Sequence, residues 1–333
     1  MFRQIIFKLF TLLLVVPLMS CGGSSVELSY EGPTINGPDF SSTTPQLPTA
    51  VVSIGPISGL SRLIVNSVAY DTGVAGIRIN GKPGVPDDLR VGYVVTINGM
   101  LDTAWKSGTA DQISFNANII GPVESVDPVR RRLLIMGQSV WIDADTRFAP
   151  PLDLNSLFNL TNGALIQVSG LSDANGEVVA THVQLVTSQK NFQVIGGVSG
   201  INFGTQTFRI NGLTVDYNST LVMNLPGGAP SNGMVVIARG SLGTDGELQV
   251  SELTSHIDTS EFVTDSRVEL TGYIMRYDLD TDFFVNGLSM ETEFHTIFHN
   301  GMRTDLALGV KIEINGRWST SDTVIAEAIW FGN

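Results

Sequence analysis

A single cysteine, Cys21, occurs among 333 residues, so no disulfide within the chain can brace the fold and core packing must do so alone. Positive charge is scarce: 19 Lys and Arg stand against 32 Asp and Glu, a formal charge of −13. A surface of that sign repels phosphate backbones, and non-specific nucleic-acid affinity depends on cationic contacts, so no nucleic acid is expected as a partner. No apolar run reaches the roughly 20 residues that a spanning helix needs. Histidine is rare, with four in all. There is no Gly-x-Ser-x-Gly elbow, and the one Gly-x-x-x-x-Gly-Lys stretch, Gly76 to Lys82, is followed by Pro83 where a phosphate loop needs Ser or Thr, so neither of these hydrolase and nucleotide signatures is complete.

What is present begins at the N-terminus. Arg3 and Lys8 precede an apolar run from Leu9 to Leu18, the length of a secretory h-region. The run ends in Leu18-Met19-Ser20-Cys21, which resembles the lipobox of bacterial lipoproteins. The resemblance implies cleavage between Ser20 and Cys21, a diacylglyceryl group on the Cys21 thiol and an N-acyl group on the new amine. Palmitate is the expected label. Each buried methylene is worth about 0.8 kcal/mol and one chain anchors only marginally, so two or three chains make a lasting membrane anchor. Loss of Arg3 and Lys8 leaves 17 basic against 32 acidic residues, a formal charge of −15. Gly22 follows the cysteine; the absence of Asp there implies outer-membrane sorting if the source is Gram-negative.

Residues 21–50 carry the lipidated cysteine and a Ser-, Thr-, Pro- and Gly-rich stretch without apolar period, a linker with an r.m.s. reach on the order of 30 Å. Beyond it, one pattern recurs four times. A Gly, six residues and a second Gly appear at Gly92–Gly99, Gly163–Gly170, Gly233–Gly240 and Gly309–Gly316. Apolar residues alternate between the glycines of the second and fourth copies, as in a half-buried strand, and glycine at both ends suits turns with positive φ. Upstream of each lie two short apolar runs joined by a turn: Leu63–Val68, Leu134–Val140 with Gly137-Gln138 as its turn, Phe208–Val215 and Phe283–Met290. Earlier still stand Gly55, Gly121, Gly196 and Gly272 at the head of an apolar run. Closing strands are expected at Phe115–Ile119, Val179–Val183, Val250–Leu253 and Ile325–Ile329. The connection Asp153–Leu160 of the second copy has the makings of one or two helical turns, and a Gly-rich insertion (Gly73–Gly84) marks the first.

Five strands per copy is the count of an OB-type barrel. The fold expected is all-β: a signal peptide (1–20), the lipidated linker (21–50), and four tandem five-stranded OB-like barrels at 51–120, 121–187, 193–258 and 266–333. The pattern resembles a bacterial family of uncharacterised OB-like domains found in tandem in lipoproteins and secreted proteins. The matching residues are the glycine openings, the hairpins, Asp143–Phe148, the Gly-to-Gly strand and Val178–Val183. The resemblance brings no catalytic residues.

What recurs among the copies is glycine and apolar side chains, which specify turns and core. Candidate sites belong to single copies. His295 and His299 are spaced i, i+4, the spacing with which a helix face binds a metal. Asp278, Asp280 and Asp282 alternate in a turn, although Phe283 and Ser289 stand where an EF-type loop needs Gly and Glu, so structural calcium is a weak match. Trp105-Lys106 and Arg317-Trp318 fall in the turn between strands four and five of the first and last copies, which in OB folds helps bind oligosaccharides. The expected function is a membrane-tethered, non-enzymatic binding or scaffold lipoprotein of the cell envelope, built as a rod of barrels, without cofactor beyond its lipid. The alternatives are a glycan- or peptidoglycan-binding module resting on the tryptophan turns, and a metal-dependent enzyme resting on the His pair.

Overall fold

A computed structural model describes residues 48–187 and 190–332, so the signal peptide, the Ser20–Cys21 cleavage site and the linker up to residue 47 lie outside the described residues. The described part is all-β, with barrel-like sheets, and falls into four successive segments. The first contains β1 (Thr49–Gly59), β2 (Leu63–Val65), β3 (Val68–Asp71), β4 (Gly76–Ile79), β5 (Lys82–Gly84), β6 (Val94–Leu101) and β7 (Ser107–Phe115). The second has β8 (Ile119–Asp127), β9 (Arg132–Ile135), β10 (Gln138–Trp141), β11 (Arg147–Phe148), α1 (Leu154–Phe158), β12 (Leu165–Ser172) and β13 (Val178–Leu185). The third has β14 (Phe192–Asn202), β15 (Thr207–Ile210), β16 (Leu213–Asp216), β17 (Val222–Asn224), β18 (Val235–Leu242) and β19 (Leu248–Ser255). The fourth has β20 (Arg267–Leu279), β21 (Asp282–Val285), β22 (Leu288–His299), β23 (Lys311–Trp318) and β24 (Thr323–Phe331).

One pairing scheme runs through all four. In the first segment β1 pairs antiparallel with β2 and with β6, β2 with β3, and β6 with β7, while β3 runs parallel to β7. The same partners recur as β8, β9, β10, β12 and β13. They recur again as β14, β15, β16, β18 and β19, and as β20 to β24. A further short strand lies parallel to the last one of the first three segments: β4 on β7, β11 on β13 and β17 on β19. In the fourth, the far half of β22 takes that place on β24.

The two glycines of the Gly-x6-Gly pattern do different jobs. The first has φ near +85° in every copy (+90° at Gly92, +84° at Gly163, +86° at Gly233, +81° at Gly309), so positive φ is required there. The second is not a turn residue. Gly99, Gly170, Gly240 and Gly316 lie inside a strand, each at a bulge against the partner strand. A Cβ at any of them would overlap the carbonyl oxygen of Thr109, Val179, Gln249 or Ile325. Next to each of three bulges a threonine hydroxyl donates to the adjoining carbonyl: Thr146 to Ala180 at 2.7 Å, Thr220 to Val250 at 3.3 Å and Thr296 to Ala326 at 2.7 Å.

Two local readings are corrected. The second hairpin turns on Met136 (φ +48°) and Gly137 (φ +68°), with Gln138 already in β10, because both turn residues of a tight hairpin need positive φ. The closing strand of the first segment is Ser107–Phe115; Ile119 already opens β8. The Gly-rich insertion is the β4–β5 hairpin turning on Asn80-Gly81, and Leu154–Phe158 is helical, capped by Asp153 accepting from the Ser156 N–H at 2.7 Å.

The segments do not form a rod. β1 pairs in parallel with β20, joining first to last, and β8 pairs antiparallel with β14, joining second to third. Asn66 fastens the first junction: its Nδ2 donates to Ser53 Oγ (3.0 Å), Ile54 O (3.2 Å) and Glu269 O (3.1 Å), and its Oδ1 accepts from Thr271 Oγ1 (2.8 Å). At the second junction Asn211 donates to Gln138 at 2.8 Å and Gln138 to the Ile210 carbonyl at 2.9 Å. The second and third segments share one continuous apolar core; the core of the fourth takes in Val52 and Ile54 of β1, and that of the first takes in Ile120 of β8.

The bulge geometry makes a test. Gly240→Ala should lower stability by about 1–3 kcal/mol, because overpacking against backbone forces a shift. Gly197→Ala, where nothing lies within 4 Å and φ is not positive, should be neutral or slightly stabilising. Urea unfolding of the two variants beside the parent measures the difference, and equal midpoints would refute the steric account.

Candidate functional site

Alternation along the strands sets the chemistry of the outward faces. On β6, Val95 and Ile97 point into the core, so Thr96 and Asn98 point out; on β7, Ile113 and Phe115 point in, so Gln112 and Ser114 point out and Asn116 follows. On β18 and β19 of the third segment, Ala238 and Leu253 are buried while Arg239, Glu252 and Thr254 face away from the core. These two faces border a groove of about 480 Å³, whose lining also includes Ser255–Ile257, Arg78, Asp258 and Glu261. That volume lies in the range of small-ligand sites. Beside it a cavity of about 40 Å³ is lined by residues of all four segments, too small for an organic ligand.

Arg239 is the groove's fixed point. Its Nε donates to Gln193 Oε1, its Nη1 to Glu252 Oε1 and its Nη2 to Asn116 Oδ1, each at 2.6 Å. Burial lowers its pKa and Glu252 pulls it back up, and a guanidinium so placed remains cationic at any physiological pH. With its charge matched by Glu252, it acts as a strut between the first and third segments. Asn98 Oδ1 has neither exposed surface nor a hydrogen-bond partner. The same holds for Nδ1 of His256, whose residue as a whole is only partly covered. Burial pushes the His256 ring down to about 4.

The corresponding face of the second segment is occupied. There Gln167, Ser169, His182 and Gln184 stand in the register of Thr96, Asn98, Gln112 and Ser114. They receive groups from the first segment: Asn80 Nδ2 donates to Gln167 Oε1 (3.1 Å), Tyr93 OH bridges Gln167 and Gln184 (3.1 Å each), and the Val94 N–H donates to Ser169 Oγ (2.9 Å). His182 Nδ1 is 2.8 Å from the Val91 carbonyl, and burial holds its pKa below the usual value despite that bond.

The residues singled out from sequence do not meet. Trp105 sits in the β6–β7 turn, about half exposed, with the Arg267 guanidinium of the fourth segment 4.2 Å from its ring centre. Lys106 is held beside it by its backbone N–H on Asp102 Oδ1. Arg317 and Trp318 belong to β23 and not to a turn: the registered pairing of β23 with β24 extends to Trp318, which is buried against Phe262, while Arg317 reaches Glu293 at 3.3 Å. His295 and His299 lie on a strand, where four residues span roughly 13 Å. His299 stacks on Trp330 and His295 packs edge-on against Phe294. The helical reading of that pair fails because parallel pairing with β24 keeps the segment extended. Asp278 and Asp282 pair with Arg276, and Asp280 with Arg303, so the acidic turn is neutralised by arginines. Among the described residues no group of three or more His, Cys, Asp or Glu is placed to hold a metal ion. The groove itself was missed; its signal was the amides and hydroxyls of Thr96, Asn98, Gln112 and Ser114 at outward positions of β6 and β7.

The depressed His256 predicts a pH dependence. A histidine titrating near 6.5 in the unfolded chain and near 4 in the folded one favours the fold while neutral. That contribution is complete above about pH 6.5 and is lost as pH falls through 4. Urea midpoints should therefore decline from pH 7 to pH 4.5 more steeply for the parent than for His256→Asn, and parallel curves would refute it.

Residues 120–184 and 271–329 match a family described as a domain of unknown function (DUF5666). The two matched stretches take in β9 to α1 and β12 of the second segment and β21 to β23 of the fourth, and both are similar to that family. No curated protein matches the chain.

Proposed function

We propose that the four segments are tandem copies of one five-stranded OB-like small β-barrel, and that the protein is a lipid-anchored, non-enzymatic binding body of the cell envelope. The repeated pairing scheme, with the third strand parallel to the fifth, supports the barrel reading. The boundaries are then 51–120, 121–187, 193–258 and 266–333, with β8 starting two residues before the second. The lipobox pattern around Ser20 and Cys21 supports export and acylation, with residues 21–50 as tether and the outer membrane as the destination in a Gram-negative source. No cofactor beyond the lipid is part of this reading.

The observation that carries binding is the groove between the first and third segments, where amides and hydroxyls line the first-segment wall beside Arg78, and Arg239 on the other wall is already paired with Glu252. Such groups orient a ligand by hydrogen bonds and do not move protons near neutral pH. A glycan is favoured over a protein partner by that lining, and the tryptophan turns are not needed for it. In cells fed labelled palmitate the parent should carry label and fractionate with membranes, whereas Cys21→Ser should lose both; retained label would end the lipoprotein reading. Envelope extract passed over the lipid-free full-length protein should yield a retained sugar polymer, and recovery of nothing would end the binding reading.

A further inference from the structure

Each segment presents an outward face on its fourth and fifth strands, and in the second that face is filled from within the molecule. Its four positions receive a carboxamide N–H, a hydroxyl, a backbone N–H and a backbone carbonyl. The first segment offers the same four positions in the same register, as Thr96, Asn98, Gln112 and Ser114, and they line the groove. Asn98 Oδ1 there has no partner.

We propose that the groove between the first and third segments binds a neutral sugar that carries a secondary amide, an N-acetylated hexosamine unit of an envelope polysaccharide. This rests on the binding reading above and names its ligand class. Three features select that chemistry. The groups filling the equivalent face are amide and hydroxyl, which an N-acetyl sugar supplies together. The opposite wall is polar as well, through Glu252, Thr254 and Ser255, so a ligand needs hydrogen-bonding groups on both sides. A peptide would need its side chains sheltered, as Tyr93 is when it stacks on Phe115 in the occupied face, and the groove offers only Ile237 and Ile257 for that. Charge argues against an anionic ligand: the chain is strongly acidic, the Arg239 charge is matched by Glu252, and the other lining cation, Arg78, is outnumbered by Asp258 and Glu261. The Gln112 carboxamide and the Asn98 Nδ2 would hold the acetamido group, and Thr96 and Ser114 the ring hydroxyls.

The test is calorimetric titration of the full-length Cys21→Ser chain with tri-N-acetylchitotriose, with chitotriose (free amines), cellotriose and triglycine as comparisons. The acetylated trimer should bind saturably and the other three at least about tenfold more weakly, because the hydrogen bonds that Gln112 and Asn98 make to an acetamido group are worth about that much. Gln112→Ala, at an exposed position, should weaken binding several-fold without altering the fold. Asn98→Ala should weaken it about tenfold, with an unchanged circular dichroism spectrum. Equal binding of cellotriose, preferential binding of triglycine, or insensitivity to both substitutions would overturn the assignment. No saturable heat with the acetylated trimer, while envelope extract still yields a retained polymer, would overturn the ligand class and leave the binding reading standing; loss of both would end the two together.

Discussion

In every segment a backbone carbonyl of the fifth strand occupies the space where a side chain on the fourth strand would stand. That close approach is possible only opposite Gly99, Gly170, Gly240 and Gly316, and it coincides with a bulge that sets two residues of the fifth strand against one of the fourth. Because strand side chains alternate with period two, a slip by one residue would turn the whole strand inside out. The bulge therefore fixes which residues face the core and which face away. In the first segment it sends Ile113 and Phe115 inward and Gln112 and Ser114 outward, so the lining of the groove is a consequence of one steric contact several residues distant.

The second constraint is closure of the first segment on the last. Parallel pairing of β1 with β20 joins residues about two hundred positions apart. The entropy cost of such a loop grows only logarithmically with length, so the separation itself is a modest burden. Once made, the junction holds the first segment in place from one side while Arg239 holds it from another, through Asn116. Both groove walls are then set by hydrogen bonds to three different segments. A groove fixed before the ligand arrives spares the ordering cost that would otherwise be subtracted from affinity.

The local grammar of the fold was legible. Period-two strands, the hairpins and the positive-φ glycines at 92, 163, 233 and 309 each follow from nearest-neighbour physics that a sequence records directly. The second glycine of each pair was read as another turn, since glycine serves both positive φ and close approach and the sequence does not distinguish the two. Met136-Gly137 was displaced by one residue because methionine seldom occupies a positive-φ position. The β1–β20 junction leaves no local trace: it joins backbone to backbone, and its side-chain hydrogen bonds centre on Asn66, with Thr271 opposite. The aromatic pairs and the histidines drew attention by residue type, yet Trp318 is core and His299 stacks on Trp330, whereas Thr96, Asn98 and Gln112 are of types too common on strands to stand out. What turns that face into one wall of a groove is the third segment standing opposite, a fact of tertiary arrangement.

The character of the junctions explains why the site lies where it does. Apolar contact is non-directional, and two barrels joined only by it are free to rock or rotate. Here Asn66, Gln138, Gln193 and Asn211 cross between segments with specific donors and acceptors, which constrain angle as well as distance. A polar junction, however, is satisfied only where partners meet; where the surfaces diverge, the same kinds of groups remain as an open, hydrogen-bonding lining. The groove is that divergence between the first and third segments, beside Asn116 where they still touch. A ligand entering it exchanges hydrogen bonds with water for hydrogen bonds with protein and leaves the apolar cores of both segments undisturbed.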